Sequence, residues 1–285
     1  MPFPVRKLEQ GEFPALLAEI PQPPVELWLR GSLAPEGTKS LAVVGSRAIT
    51  RYGRHACETL IGGLAGYPIS IVSGLALGVD AAAHVAALDA GLHTLVIPGS
   101  GITDEVIYPS TNRKLATKVL ESGGGLLTEF NPESKSALWN FPRRNRIMAG
   151  MSDAILIVEA GERSGTLITA RLASEYNREL LCVPHDIGSP HGYGSHLFIR
   201  LGATLVSESK HILEALKIKP KELIAKELPK LEGAEKKIYE ALATPLTRDE
   251  IIRASALQTG EVLTALVMLE LRELIKEDLG EWRRA

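Results

Sequence analysis

The chain has 285 residues, 45% of them apolar and 23% charged, with 26 glycines and 17 prolines. This excludes a disordered or collagen-like chain and suits one full-sized domain plus a small one. Thirty-two Lys and Arg against 34 Asp and Glu leave a formal charge of −2, so any contact with nucleic acid has to be a local cluster rather than a global positive field.

The first 40 residues lead in. Phe13-Pro14 opens a short helix-like run, and Pro21, Pro23 and Pro24 break it before an apolar stretch at 25–29. This reads as a lead-in (residues 1–40) docked on a sheet and ending in an edge strand, where proline is tolerated. From 41 to 216 one grammar repeats: a short apolar run, a Gly/Ser/Pro turn, then a helical period. The strand-like runs are 41–44, 69–72, 94–97, 125–128, 154–158, 180–183 and 203–206; helical stretches fall at 54–65, 79–90, 111–121, 166–177 and 194–201. Runs that are apolar on both faces and alternate with helices predict an α/β fold with a doubly wound, mostly parallel sheet.

Composition shifts at 217–233, where Pro220 and Pro229 punctuate a lysine-bearing segment that reads as a linker. Beyond it come helical patterns at 234–243, 247–254 and 258–271 and a terminal hairpin, predicting a small winged-helix domain over 234–285. Thr247 and Glu250 have capping-box spacing. Residues 217–285 carry as many acidic as basic side chains, and the third helix has no Lys or Arg before Arg272. A duplex reader needs positive charge there, so a protein-contact or accessory role is favoured for this domain.

Ligands of open parallel sheets collect beyond the carboxyl ends of the strands. There the chain places Gly45-Ser46-Arg47, Ser73-Gly74, Pro98-Gly99-Ser100-Gly101 and Ser164-Gly165-Thr166. Glycine lets backbone approach a ligand, hydroxyls donate, and helix N-termini favour anions. Each such turn alone is more often only a turn; several on one edge point to an anion site. The dinucleotide fingerprint fails at its second glycine and the Walker pattern is absent. Arg47 offers a phosphate partner, or a surface ion pair. In Trp139-Asn140-Phe141-Pro142-Arg143-Arg144-Asn145-Arg146, aromatic faces and three arginines, near Lys135, suit a single-stranded nucleic acid; the alternative has Trp139 and Phe141 as core anchors beneath a solvated helix face.

Catalytic groupings are sparse. Asp80 and His84 share a helix face, a spacing that more often buttresses a helix than performs acid–base work. His185, His191 and His196 lack ligand spacing, no nucleophile elbow is present, and Cys57 and Cys182 read as small buried residues. Glu129 and Glu159 follow strands at the ligand edge, with no nucleophile placed for them. The first ten residues lack the apolar stretch of a secretion signal, and no run approaches a membrane span. The expectation is a cytoplasmic chain with no metal, no cofactor, no membrane contact and no enzymatic step.

Over nearly its whole length the chain resembles the DNA-processing protein A family (DprA, also called Smf). The resemblance rests on Phe13-Pro14 through Pro23-Pro24, Val44-Gly45-Ser46-Arg47, Ser73-Gly74-Leu75-Ala76-x-Gly78-Val79-Asp80 with Ala83-His84, and Tyr108-Pro109 with Asn112. It continues through Phe141-Pro142-x-Arg144-Asn145-Arg146-Ile147, Val158-Glu159-Ala160, Ser164-Gly165-Thr166-Leu167-Ile168-Thr169-Ala170 and Gly202-Ala203. It implies an extended Rossmann-like domain, here 41–216, that binds single-stranded DNA, forms homodimers and helps load the RecA recombinase in natural transformation. The implied DNA pocket holds Gly45, Ser46, Arg47, Phe141, Arg144, Asn145 and Arg146; Lys135 is a looser match. With the turns and basic stretch read above, the candidate set adds Ser73, Gly74, Arg143, Gly165 and Thr166. Leu77 stands where the family usually has Arg, His185 follows Pro184 where Pro-Gly is usual, and His196 replaces Asn. The alternative from another class is a nucleoside-monophosphate phosphohydrolase, whose Pro-Gly-Gly-x-Gly-Thr signature finds only Gly161-Glu162-Arg163-Ser164-Gly165-Thr166 here.

Overall fold

A computed structural model describes residues 3–220, 231–272, 274–278 and 280–284. The chain divides into two compact units, residues 1–220 and 221–285. Most of the expected linker, 221–230, lies outside the described residues.

The first unit is built on one nine-stranded sheet. In chain order its strands are β1 (Val5–Lys7), β2 (Trp28–Gly31), β3 (Lys39–Val44), β4 (Ile69–Ser73), β5 (His93–Val96), β6 (Gly125–Thr128), β7 (Ala154–Ile157), β8 (Glu179–Cys182) and β9 (Thr204–Leu205). Its helices are α1 (Ala15–Ala18), α2 (Arg51–Gly62), α3 (Val79–Asp89), α4 (Arg113–Glu121), α5 (Asn140–Met151), α6 (Thr166–Glu175), α7 (Tyr193–Arg200) and α8 (Ser209–Ala215). The strand order is β1-β2-β6-β5-β4-β3-β7-β8-β9, with β3 to β9 parallel and β1 and β2 added antiparallel. The lead-in therefore joins the sheet. Its strand β2 lies between β1 and β6 rather than at an edge, because residues 5–7 pair along its free side.

Strand alternation explains the two layers. Leu41 and Val43 of β3, with Ala154 and Leu156 of β7, pack under α2, α3 and α8. Ala42 and Val44, with Ile155 and Ile157, face the opposite layer of α1, α5, α6 and α7. Both faces are covered, so both sets of side chains are apolar. Cys57 and Cys182 are free thiols in these layers, and burial pushes both up to about 12.

The topology sets where a ligand fits. From β3 the chain winds outward through β4, β5 and β6, then returns to the other side of β3 for β7, β8 and β9. The direction of winding reverses between β3 and β7, and crevices of doubly wound sheets open at that switch, beyond the carboxyl ends of the two strands.

The second unit comprises α9 (Gly233–Ala241), α10 (Arg248–Ser255), α11 (Thr259–Leu271) and a small sheet of β10 (Leu246–Thr247), β11 (Ile275–Asp278) and β12 (Glu281–Arg284) in the order β10-β12-β11. Thr247 and Glu250 form the capping box that opens α10. Ile238, Ile251, Val262, Leu266, Leu269 and Trp282 make its separate core. No single helix among the described residues is long and apolar enough to cross a membrane.

Candidate nucleic-acid interface

A cleft of about 690 Å³ opens at the switch point. Its walls come from the turn after β3 (Gly45 to Ala48), the turn after β7 (Gly161 and Arg163 to Thr166) and the first half of α5. In the β3 turn the Ser46 hydroxyl closes on Ala48, accepting its amide at 3.1 Å, and Val79 N–H donates to the Ser46 carbonyl at 3.0 Å. Gly78, at φ +81°, sits against the carbonyls of Ser46 and Arg47, where no Cβ fits. These contacts leave Arg47 projecting outward. Its guanidinium lies over the Phe141 ring, 5.0 Å from the centroid, and forms no ion pair among the described residues. Gly99 packs against the Phe141 ring, and the Tyr108 ring lies tilted beside it with centroids 6.1 Å apart.

Helix α5 decides what the basic stretch does. Proline at its third residue lies in the first turn, where helices tolerate it. Successive residues then point about 100° apart, so the three arginines separate. Arg143 is exposed, its guanidinium 3.4 Å from Glu129 and above the Phe130 ring. Arg146 turns toward the lead-in, donating to the Gln22 carbonyl and pairing with Glu129. Arg144 turns inward: it is buried, donates to the Ile97 carbonyl at 2.7 Å, and stands 3.9 Å from Asp80. Gly74 gives it room, since a Cβ there would run into the guanidinium. Burial raises the Asp80 carboxyl, opposed by Arg144 and by the amides of Ala76 and Gly74; burial likewise lowers Arg144, opposed by Asp80. Within reach of the cleft, Arg144 therefore acts as an internal strut, whereas Arg47 faces outward.

Of the candidate positions, Gly45, Ser46, Arg47, Phe141, Arg144, Asn145, Gly165 and Thr166 line the cleft. Ser73, Gly74, Lys135, Arg143 and Arg146 do not. Ser73 is buried with its hydroxyl donating to Val43 at 2.7 Å, and Lys135 is exposed on the segment before α5. At α6 the Thr166 amide is taken by the Ser164 hydroxyl at 3.2 Å, and those of Leu167 and Ile168 by the carbonyls of Ser164 and Gly165. That turn offers fewer open N–H groups than its sequence suggests. Arg163, exposed on the same turn, lines the cleft and was missed; its signal is a lone cation inside a glycine-serine turn after a strand. Trp139 is not a core anchor, being 71% exposed at the mouth of α5 beside Leu138.

The acids of the alternative enzyme are engaged elsewhere. Glu159 is fully buried beneath the N-terminus of α2, accepting from the Thr50 amide at 3.1 Å and from the Thr50 hydroxyl. Glu129 is paired as above, and neither lines the cleft. His84 bonds Thr94 at 2.7 Å, and burial lowers its pKa to about 3. No group of three His, Cys, Asp or Glu among the described residues is placed to hold a metal.

A switch-point cleft without the dinucleotide turn places the first unit among Rossmann-like α/β proteins, here followed by a winged-helix unit. The particular lineage is specific: the chain belongs to the family described as DNA recombination-mediator protein A, whose profile matches residues 5–217, and a DprA winged helix domain profile matches residues 225–280. Protein Smf of Escherichia coli K12 is 44% identical over 207 residues, 71% of this chain and 54% of that protein. The putative DNA processing protein DprA of Mycobacterium tuberculosis is 36% identical over 91% of this chain and 68% of its own length. The chain thus spans about half of the first relative and two thirds of the second. The solved structure of DNA processing protein A from Streptococcus pneumoniae superposes with a TM-score of 0.69 at 35% identity, covering 77% of this chain and 75% of that one. That from Helicobacter pylori, described for its single-stranded DNA binding mode, gives 0.67 at 27% identity over 75% of this chain and 96% of its own.

Proposed function

We propose that this chain binds single-stranded DNA in the switch-point cleft, as a binder with no chemical step of its own. The observation that carries this reading is the Arg47–Phe141 pair: an outward guanidinium with no ion pair among the described residues, set over an aromatic ring recessed in a ligand-sized cleft. A guanidinium holds phosphate, and a ring takes a base face. Bases paired in a duplex cannot reach a recessed ring, whereas an unstacked base can. The Helicobacter pylori structure's description supports the same ligand.

From the family resemblance the proposal extends to a homodimer that protects incoming DNA and helps load RecA during transformation and recombination. A gel-shift with single- and double-stranded oligonucleotides at two salt concentrations tests the core of it. Preferential binding of the single strand, weakening as salt rises, is expected; equal affinity for both forms, or indifference to salt, defeats it. RecA filament growth on covered single strands, with and without this protein, tests the extension.

A further inference from the structure

The cleft does not end at His191. That residue also lines a smaller hollow of about 320 Å³, formed with Thr50, Tyr52, Pro184, His185, Asp186 and Ser189, at the lower end of ligand-sized clefts. Its chemistry differs from its neighbour's. Its lining has no Lys or Arg, and its one carboxylate is Asp186, so a phosphate meets like charge there.

The hollow is braced. The Tyr52 hydroxyl donates to the Pro184 carbonyl at 2.6 Å, and its ring meets His185 edge-on with centroids 5.1 Å apart. His185 Nε2 donates to the Val158 carbonyl at 2.8 Å, and His196 Nε2 to the His185 carbonyl at 3.0 Å. Gly192 packs so close to both histidines that a Cβ has no place. The Ala160 amide donates to the His191 carbonyl at 2.8 Å, and the Thr50 hydroxyl is engaged by Glu159 and the Gly53 amide. What remains open is the half-exposed Tyr52 ring, the Asp186 carboxylate and the Ser189 hydroxyl; neither polar side chain bonds to another described residue.

We infer that this hollow is a nucleobase subsite, which takes the base of a nucleotide flanking the one held at Arg47. It rests on the single-strand reading above. Tyr52 stacks the base, and Asp186 accepts from an exocyclic amino group. The aromatic face is indifferent to base identity; the carboxylate is not, since cytosine and adenine carry an amino donor and thymine carries none.

Fluorescence anisotropy of the full chain with labelled oligo-dC and oligo-dT of equal length, over a salt series, tests the subsite. Oligo-dC is expected to bind about fivefold tighter than oligo-dT, and Asp186→Asn to bring the two together. Tyr52→Ala weakens oligo-dC about tenfold with the salt slope unchanged, since no phosphate contact is lost; Tyr52→Phe keeps most of the affinity. A Tyr52→Ala chain that binds as the wild type does, a salt slope that falls with it, or a dC/dT ratio unmoved by Asp186→Asn overturns the subsite while leaving Arg47 in place. A wild-type chain that binds neither oligonucleotide overturns the single-strand reading, and the subsite with it.

Discussion

Winged-helix units that read duplex DNA insert the helix equivalent to α11 into the major groove, and doubly wound sheets bind at the switch point; here the two regions carry opposite chemistry. The cleft of the first unit exposes Arg47 and Arg163 beside glycine turns and a recessed ring. Helix α11 has no Lys or Arg from Thr259 to Leu271, and its outer face exposes Leu263, Val267, Met268 and Leu271 above a core of Val262, Leu266 and Leu269. A face of apolar side chains with Glu261 and Glu270 as its only charges does not suit tracking phosphate. In the proposed reading, affinity for a single strand resides at the sheet edge, while α11 presents no Lys or Arg to a duplex.

The most severe way to test the first region is through its strut. Arg144→Ala leaves Asp80 buried without its compensating cation and is expected to destabilise the first unit by about 3–5 kcal/mol, read as a lower denaturation midpoint for that unit. Arg47→Glu should do the reverse: near wild-type thermal stability, with affinity for a single strand down by about two orders of magnitude or more, because an exposed guanidinium does little for the fold and reversal adds repulsion. If Arg47→Glu binds normally, the cleft is not the interface.

A smaller effect is expected from pH. Folded His84 takes up a proton only near pH 3, whereas an unfolded histidine does so near 6.5. Between those values the unfolded state binds more protons, so stability falls as pH drops, by about 1.4 kcal/mol per unit from this group. Denaturant titrations of wild type and His84→Gln at pH 7 and pH 5 read the difference between the two slopes; equal slopes contradict it. The smallest effect belongs to the second region. Val267→Lys, on the exposed face of α11, should change single-strand affinity less than about twofold, the scale of an added cation outside the interface. A large gain or loss there would move the interface onto α11.

Much of this was legible in the chain. Runs apolar on both faces, such as 41–44 and 154–158, announce covered parallel strands, and the glycine-serine turns after them mark the ligand edge. Helix α5 was harder to see, because Pro142 and three arginines mask its start. The lead-in strand expected at 25–29 lies at Trp28–Gly31, and its place inside the sheet rather than at an edge was hidden, since its partners are a three-residue strand and β6, nearly a hundred residues later.

The sequence by itself determined the doubly wound sheet, the winged-helix unit, the lack of basic residues on its third helix and the switch-point turns, because apolar periodicity, charge placement and glycine placement are local signals. Only the tertiary structure decided which arginines are free. Helical geometry turned Arg143, Arg144 and Arg146 apart, and Asp80 and Glu129 lie beside their guanidinium groups, while Arg47, over the Phe141 ring, and Arg163 stay exposed at the cleft.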